Sequence, residues 1–216
     1  ESDNAAAVRR AGIVVLAVQP QQLDALLAAV GDALDPGRHT LVSVVSGVRI
    51  AQIRGRLGAP LPIVRAMPNT GLAIRESMTC LASDAEGTEI LERVRPLFDA
   101  VGRTLVIREE LMESATALCA CGVAFFLRAI RAASQGGVEV GFHPDEALLL
   151  AAQTARGAAT LLLDGSGHPE SEIDRVTTPR GCTIAGLNEM EHRGFSSALI
   201  KAILVSADKA GHLYHD

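Results

Sequence analysis

Lysine is almost missing from these 216 residues: of 20 cationic side chains only Lys201 and Lys209 are lysine, against 25 carboxylates, for a formal net charge of -5. That balance excludes the basic footprint of a nucleic-acid partner or an anionic membrane surface. No uninterrupted apolar run reaches the roughly 18 residues of a bilayer span, and no secretory signal opens the chain, so no membrane partner is expected. A Gly-x-Gly-x-x-Gly loop is absent, and with it any dinucleotide site legible from glycines alone. Four cysteines (Cys80, Cys119, Cys121 and Cys182) do not make the disulfide framework of a secreted protein at this length. A cytoplasmic setting is the expectation.

What is present is a chain of two characters. Ile13–Val18 is a wholly apolar strand that ends at Gln19-Pro20, the pattern of a parallel strand covered on both faces. Asn4 is placed to cap a short helix, Ala5–Arg10, before it. A helix follows with Leu23, Leu26, Leu27, Val30 and Leu34 on one face, stopped by Asp35-Pro36-Gly37. The alternation continues through a strand at Leu41–Val45, a helix at Ile50–Leu57 and a strand at Pro62–Pro68. Further strands are expected at Met78–Leu81 and Gly102–Ile107, with a helix over Glu86–Phe98 between them. This alternation predicts an α/β parallel sheet.

Beyond about residue 108 no strand is legible. Long stretches rich in Ala and Leu are broken near Gly136-Gly137, Gly141–Pro144, Gly165–Pro169, Thr178–Gly181 and Arg193-Gly194. The expected fold is therefore α/β then all-α, with domains at 1–108 and 109–216. Residues 111–133 are almost uncharged over two faces, which calls for burial by another subunit. An obligate dimer with interleaved helices follows.

The break at Thr178-Pro179-Arg180-Gly181-Cys182-Thr183 is followed by Ile184, Leu187, Met190 and Glu191 at helical spacing. Unbonded N–H groups at such a helix start suit a carboxylate. A capped turn between helices fits the same spacing. Cys119, Cys121 and Cys182 allow a three-thiolate metal or redox site, although the spacing is not that of zinc, and small buried thiols fit as well. No metal site is expected. Among the scattered histidines only His212 and His215 stand three apart, at a terminus prone to fraying.

Ala-Val-Gln-Pro at 17–20, Ser-Gly-Val at 46–48 and Arg-Ala-Met-Pro-Asn-Thr at 65–70 form a set with several later segments. These are Glu-Leu-Met-Glu-Ser-Ala-Thr-Ala-Leu at 110–118, Gln-Gly-Gly-Val at 135–138 and Gln-Thr-Ala-Arg-Gly-Ala at 153–158. Together they resemble the pyrroline-5-carboxylate reductase family, in order and spacing over essentially the whole chain. The resemblance implies a partial Rossmann-like parallel sheet followed by a helical dimerisation domain. It also implies NADP- or NAD-dependent reduction of a cyclic imine, 1-pyrroline-5-carboxylate to proline, by a homodimer or higher homo-oligomer. Family members open with a strand, Gly-rich loop and helix that seat the cofactor pyrophosphate. These residues lack that unit, so either a longer protein or a truncation is expected, and no reductase activity is expected of the 216 residues alone.

The same resemblance assigns residues. Asn4, Ala17, Val18, Gln19, Pro20, Ser46, Gly47 and Asn69 fall at cofactor-binding positions, with Asn4 near the adenosine ribose and Asn69 toward the nicotinamide. Asn69 also suits a turn-stabilising role. Thr178, Gly181, Cys182, Thr183 and Cys121 fall at the substrate pocket, and Thr183 takes the catalytic place beside the imine nitrogen. Gln19 replaces the family's Lys, Gly71 its Pro, Arg180 a Gly of the substrate loop, and Cys119 and Cys121 its serines. These departures leave open an imine reductase for another cyclic imino acid. A catalytically impaired paralogue acting as a dimeric scaffold or ligand sensor is the other alternative.

Overall fold

A computed structural model describes residues 3–84, 88–165 and 167–214. Five strands, β1 (Ile13–Leu16), β2 (Thr40–Ser43), β3 (Ile63–Met67), β4 (Ser77–Ser83) and β5 (Gly102–Val106), form one sheet in chain order. The first three are mutually parallel and β4 and β5 are parallel, but β3 and β4 run antiparallel. The sheet is mostly parallel, as expected, with one antiparallel pairing that the sequence did not announce. A crossover helix reverses the chain twice and restores strand direction, whereas Pro68–Glu76 holds only a short 3-10 turn, Thr70–Ile74.

Helices α1 (Asn4–Arg10), α2 (Leu23–Val30), α3 (Ile50–Leu57) and α4 (Thr88–Asp99) accompany the sheet. The expected start of the last at Glu86 lies outside the described residues. Adjacent strand residues face opposite ways and both are buried: Leu41 and Ile63 join a cluster with Leu23, Leu27, Ile50 and Ile53, while Val42 and Val64 join one with Val94. That two-sided burial explains the continuous apolar strands. The cap of α1 differs from the expectation. Asp3 accepts from the Ala5 N–H at 2.9 Å, and Asn4 is already the first helical residue.

The rest is helical: α5 (Met112–Ala115), a π-helical turn (Thr116–Cys121), α6 (Gly122–Glu139), α7 (Pro144–Asp164), α8 (Pro169–Val176), α9 (Cys182–His192) and α10 (Phe195–Ala210). The break expected at Gly136-Gly137 does not occur. A Cβ on Gly137 would stand 3.0 Å from the Ala147 Cβ, so the glycine lets α7 approach α6. By length and composition Glu109–Glu139 is long and apolar enough to cross a membrane. Glu113, Arg128 and Arg131, with small polar residues between them, break it up, so no continuous apolar run is visible in the sequence.

The compact units divide elsewhere than residue 108. The first takes Glu1–Val123 and Ile203–Asp216, the second Ala124–Ala202. Two contacts between residues distant in sequence seat the C-terminal segment on the first unit. Gly47 turns at φ +75°, where a Cβ would lie 2.8 Å from the Ala210 carbonyl oxygen, and the Tyr214 hydroxyl donates to Asp24 at 2.6 Å. His215 lies outside the described residues, and the His212 Nδ1 lies 2.7 Å from the Asp208 carbonyl oxygen.

Candidate active site

The α8–α9 loop belongs to the second unit. The Thr177 hydroxyl donates to the Ile173 carbonyl at 2.7 Å and closes α8. Gly181 N–H then donates to the Thr178 carbonyl at 2.9 Å, making a tight turn. A Cβ on Gly181 would meet the Thr178 hydroxyl oxygen at 2.5 Å, so a larger residue there would have to displace that hydroxyl. Arg180 occupies the left-handed region at φ +61°, a conformation that glycine adopts without strain and arginine does not. Helix α9 begins at Cys182, one residue earlier than Thr183, and its N-cap is Gly181, which has no side chain to satisfy the first N–H groups. Backbone donors, the positive end of the macrodipole and the half-buried Thr183 hydroxyl thus lie within one turn. Such a corner can hold a carboxylate and offer a hydroxyl proton beside it.

The remaining predicted positions belong to the first unit. Asn4, Ala17 and Val18 line one cleft of about 360 Å³ at the end of β1, together with Leu16, Leu26 and Val30. Gln19 is exposed and caps the 3-10 turn Pro20–Gln22, its N–H donating to the Gln22 Oε1 at 3.3 Å. Ser46 is half-buried and Gly47 is buried beneath the Ala210–Leu213 backbone. Asn69 is engaged on both arms of its carboxamide. Its Oδ1 accepts from the Gly71 N–H at 2.9 Å, and its Nδ2 donates to the Cys119 carbonyl at 3.2 Å. Proline, the family residue at position 71, has no N–H to donate, so Gly71 itself creates this turn-stabilising bond. One Nδ2 proton of Asn69 is left over for other partners.

Two positions missed in the sequence organise this region. Glu109 accepts from the Ile50 N–H at 2.7 Å, capping α3 directly after the Ser46–Gly47 turn, and lies 3.3 Å from the Arg65 guanidinium. Arg65 is 2% exposed, also faces Glu113 at 3.7 Å, and keeps one buried nitrogen unpaired. Its signal was a charged residue inside an otherwise apolar strand, which requires carboxylate company.

Cys121 and Cys119 are half-buried on the π-helical turn, and the Cys119 sulfur lies 3.9 Å from that of Cys80 on β4. The hydrogen bond from Cys80 holds the Cys119 thiol down to about 7 against the opposing effect of burial. The same contact, with burial, raises Cys80. Among the described residues, no three His, Cys, Asp or Glu side chains gather as a metal site.

The sequence model described as Pyrroline-5-carboxylate reductase dimerisation matches residues 109–213. Pyrroline-5-carboxylate reductase 1 of Dictyostelium discoideum is 53% identical over 99% of this chain, the match spanning 41% of that protein. Pyrroline-5-carboxylate reductase 2 of the same organism is 47% identical over 97% of this chain and 75% of its own length. The chain belongs to the pyrroline-5-carboxylate reductase family. It spans about two-fifths of the length of the first relative and three-quarters of the second. A crystal structure of Plasmodium falciparum pyrroline carboxylate reductase with NADP bound shares the fold, with a TM-score of 0.91 and 24% identity over all of this chain and 82% of that one. Within the family frame the matched dimerisation segment begins at 109, while the compact first unit extends through the π-helical turn to Val123.

Proposed function

We propose that the protein containing this chain is a pyrroline-5-carboxylate reductase, reducing the cyclic imine 1-pyrroline-5-carboxylate to proline with NADPH or NADH. The single observation that carries this reading within the site is the uncapped start of α9, with Thr183 one residue inside it. The N–H groups of Gly181–Thr183 take the substrate carboxylate, and Thr178 and Cys182 flank it. The Thr183 hydroxyl donates a hydrogen bond at the imine nitrogen, where the proton is needed. The cofactor, when bound, supplies a hydride to the imine carbon. The cleft carrying Asn4, Ala17 and Val18 takes the adenosine end of the dinucleotide: its apolar lining suits the base, and the Asn4 carboxamide suits a ribose hydroxyl. Gln19, Pro20, Ser46, Gly47 and Asn69 complete the cofactor side.

In this reading residues 1–108 belong to the Rossmann-like part, and 109–216 act as the dimerisation and substrate part. The partner is a second copy, or several. Supporting this, an apolar groove of about 810 Å³ runs between α6 and α7, lined by Phe126, Ile130, Ala133, Phe142, Leu150 and Ala151. The setting is cytoplasmic, in keeping with four free thiols.

Full-length protein is to be assayed for NADPH oxidation with 1-pyrroline-5-carboxylate. Turnover is expected, and Thr183→Ala should lower kcat by about 100-fold, the scale of one lost proton-donor contact. Cofactor binding without turnover of any cyclic imine would sink the reductase reading. That result favours the second reading, an impaired paralogue acting as scaffold or sensor, for which the occupied Asn69 carboxamide and Gln19 speak. Turnover of a different cyclic imino acid alone would keep the chemistry and move the substrate.

A further inference from the structure

The reductase reading leaves two nucleophilic side chains without a role, Cys80 and Cys119. They are 39 residues apart in sequence and 3.9 Å apart at sulfur. Cys80 is fixed: it lies on β4, paired with Met67 of β3 and Leu105 of β5, and is 3% exposed. Cys119 is the adaptable partner, half-buried on the π-helical turn Thr116–Cys121. Both belong to one apolar cluster with Met67, Ala82, Met112 and Ala115. A disulfide needs an S–S separation near 2 Å, so each sulfur has to move by only about 1 Å. A π turn is the least regular helical turn and the natural place for that adjustment.

We propose that Cys80 and Cys119 are a redox modification site, closing a reversible intrachain disulfide when the protein meets a hydroperoxide. The Cys119 thiolate attacks the peroxide, the O–O bond breaks, and Cys119 becomes a sulfenic acid while the alkoxide or hydroxide leaves and takes a proton. The Cys80 sulfur then attacks the Cys119 sulfur. Hydroxide departs with the Cys80 proton as water, so two thiols and one hydroperoxide give a disulfide, an alcohol or water, and one further water. Two electrons pass from the sulfurs to the peroxide. Cys119 is the attacking residue because it is the more accessible of the two and because its hydrogen bond with Cys80 lowers its pKa, which favours the thiolate. A dithiol reverses the step by exchange. The site does not depend on which reaction the protein catalyses.

The test treats the intact native protein with a small excess of hydrogen peroxide, blocks remaining thiols with iodoacetamide after unfolding, and maps tryptic peptides. Expected is a cross-link joining peptide 76–93 to peptide 109–128, absent after dithiothreitol treatment. Cys121 shares the second peptide, so Cys121→Ser should retain the cross-link and Cys119→Ser should abolish it. In Cys80→Ser, Cys119 should be trapped as a dimedone adduct of its sulfenic acid. The wild-type map stands even where a variant misfolds. Cys119 over-oxidised to sulfinic acid beside a fully alkylated Cys80, or a cross-link that survives Cys119→Ser, would overturn the proposal.

Discussion

The two compact units bury their side chains to very different degrees. The first holds fully buried residues on both faces of its sheet, among them Leu41, Val42, Ile53, Ile63 and Val64, each at 0% exposure. In the second, Ala124–Ala202, the described residues include only Ser134 and Ala147 in the buried class, while Phe126, Leu149 and Leu163 are 59%, 70% and 57% exposed. A sheet covered by helices closes its own core. Long helices with apolar residues on several faces leave area that a single chain of this length cannot cover. The first unit thus owes its stability to internal packing, and the second is built for packing against something else.

The contrast can be broken most forcefully at Arg65. Arg65→Met leaves Glu109 and Glu113 without their cation and should cost about 4 kcal/mol in urea unfolding of the first unit. A loss below about 1 kcal/mol would mean that the ion pairs are decoration. Next, Ile53→Ala should cost about 3 kcal/mol, the scale of a cavity in a closed core. Its counterpart Leu149→Ala should cost under about 0.5 kcal/mol in a dissociated chain. The same Leu149 change should cost more as protein concentration rises if a second copy covers α7. A concentration-independent penalty at Leu149 would erase the distinction between the units.

Smaller effects sharpen the picture at the turns. Gly47→Ala should destabilise by about 2 kcal/mol, from a positive φ and a clash with the Ala210 carbonyl, and loosen the C-terminal segment in hydrogen exchange. An unchanged melting curve would show that the segment yields freely. Arg180→Gly should stabilise the chain by about 1 kcal/mol by relieving a left-handed arginine. Here a loss of stability would show that the arginine side chain compensates its backbone.

Much of this was legible because local rules and global fold agree. The helix Ile50–Leu57 fell at the bounds expected of it, and the strand Ile63–Met67 lay inside the expected stretch between Pro62 and Pro68. The turn between α8 and α9 was legible as Pro-x-Gly before a new helical period. What failed had a longer-range cause. Gly136-Gly137 reads as a breaker, yet α7 approaches closely there and the helix persists. Asn69 reads in the sequence as a cofactor-side residue that also suits a turn, and only the tertiary structure brings the Cys119 carbonyl to its carboxamide.

Taken alone, the sequence determined the alternation of strands and helices, the helical second half and the family, because periodicity and motif spacing are properties of neighbours along the chain. Tertiary structure alone decided the antiparallel β3–β4 pairing, the Glu109 cap on α3 and the return of residues 203–216 to the first unit. It alone brought Cys80 to Cys119. Each of these joins residues distant in sequence or depends on the direction in which a loop sends the chain, and no local pattern records such a meeting.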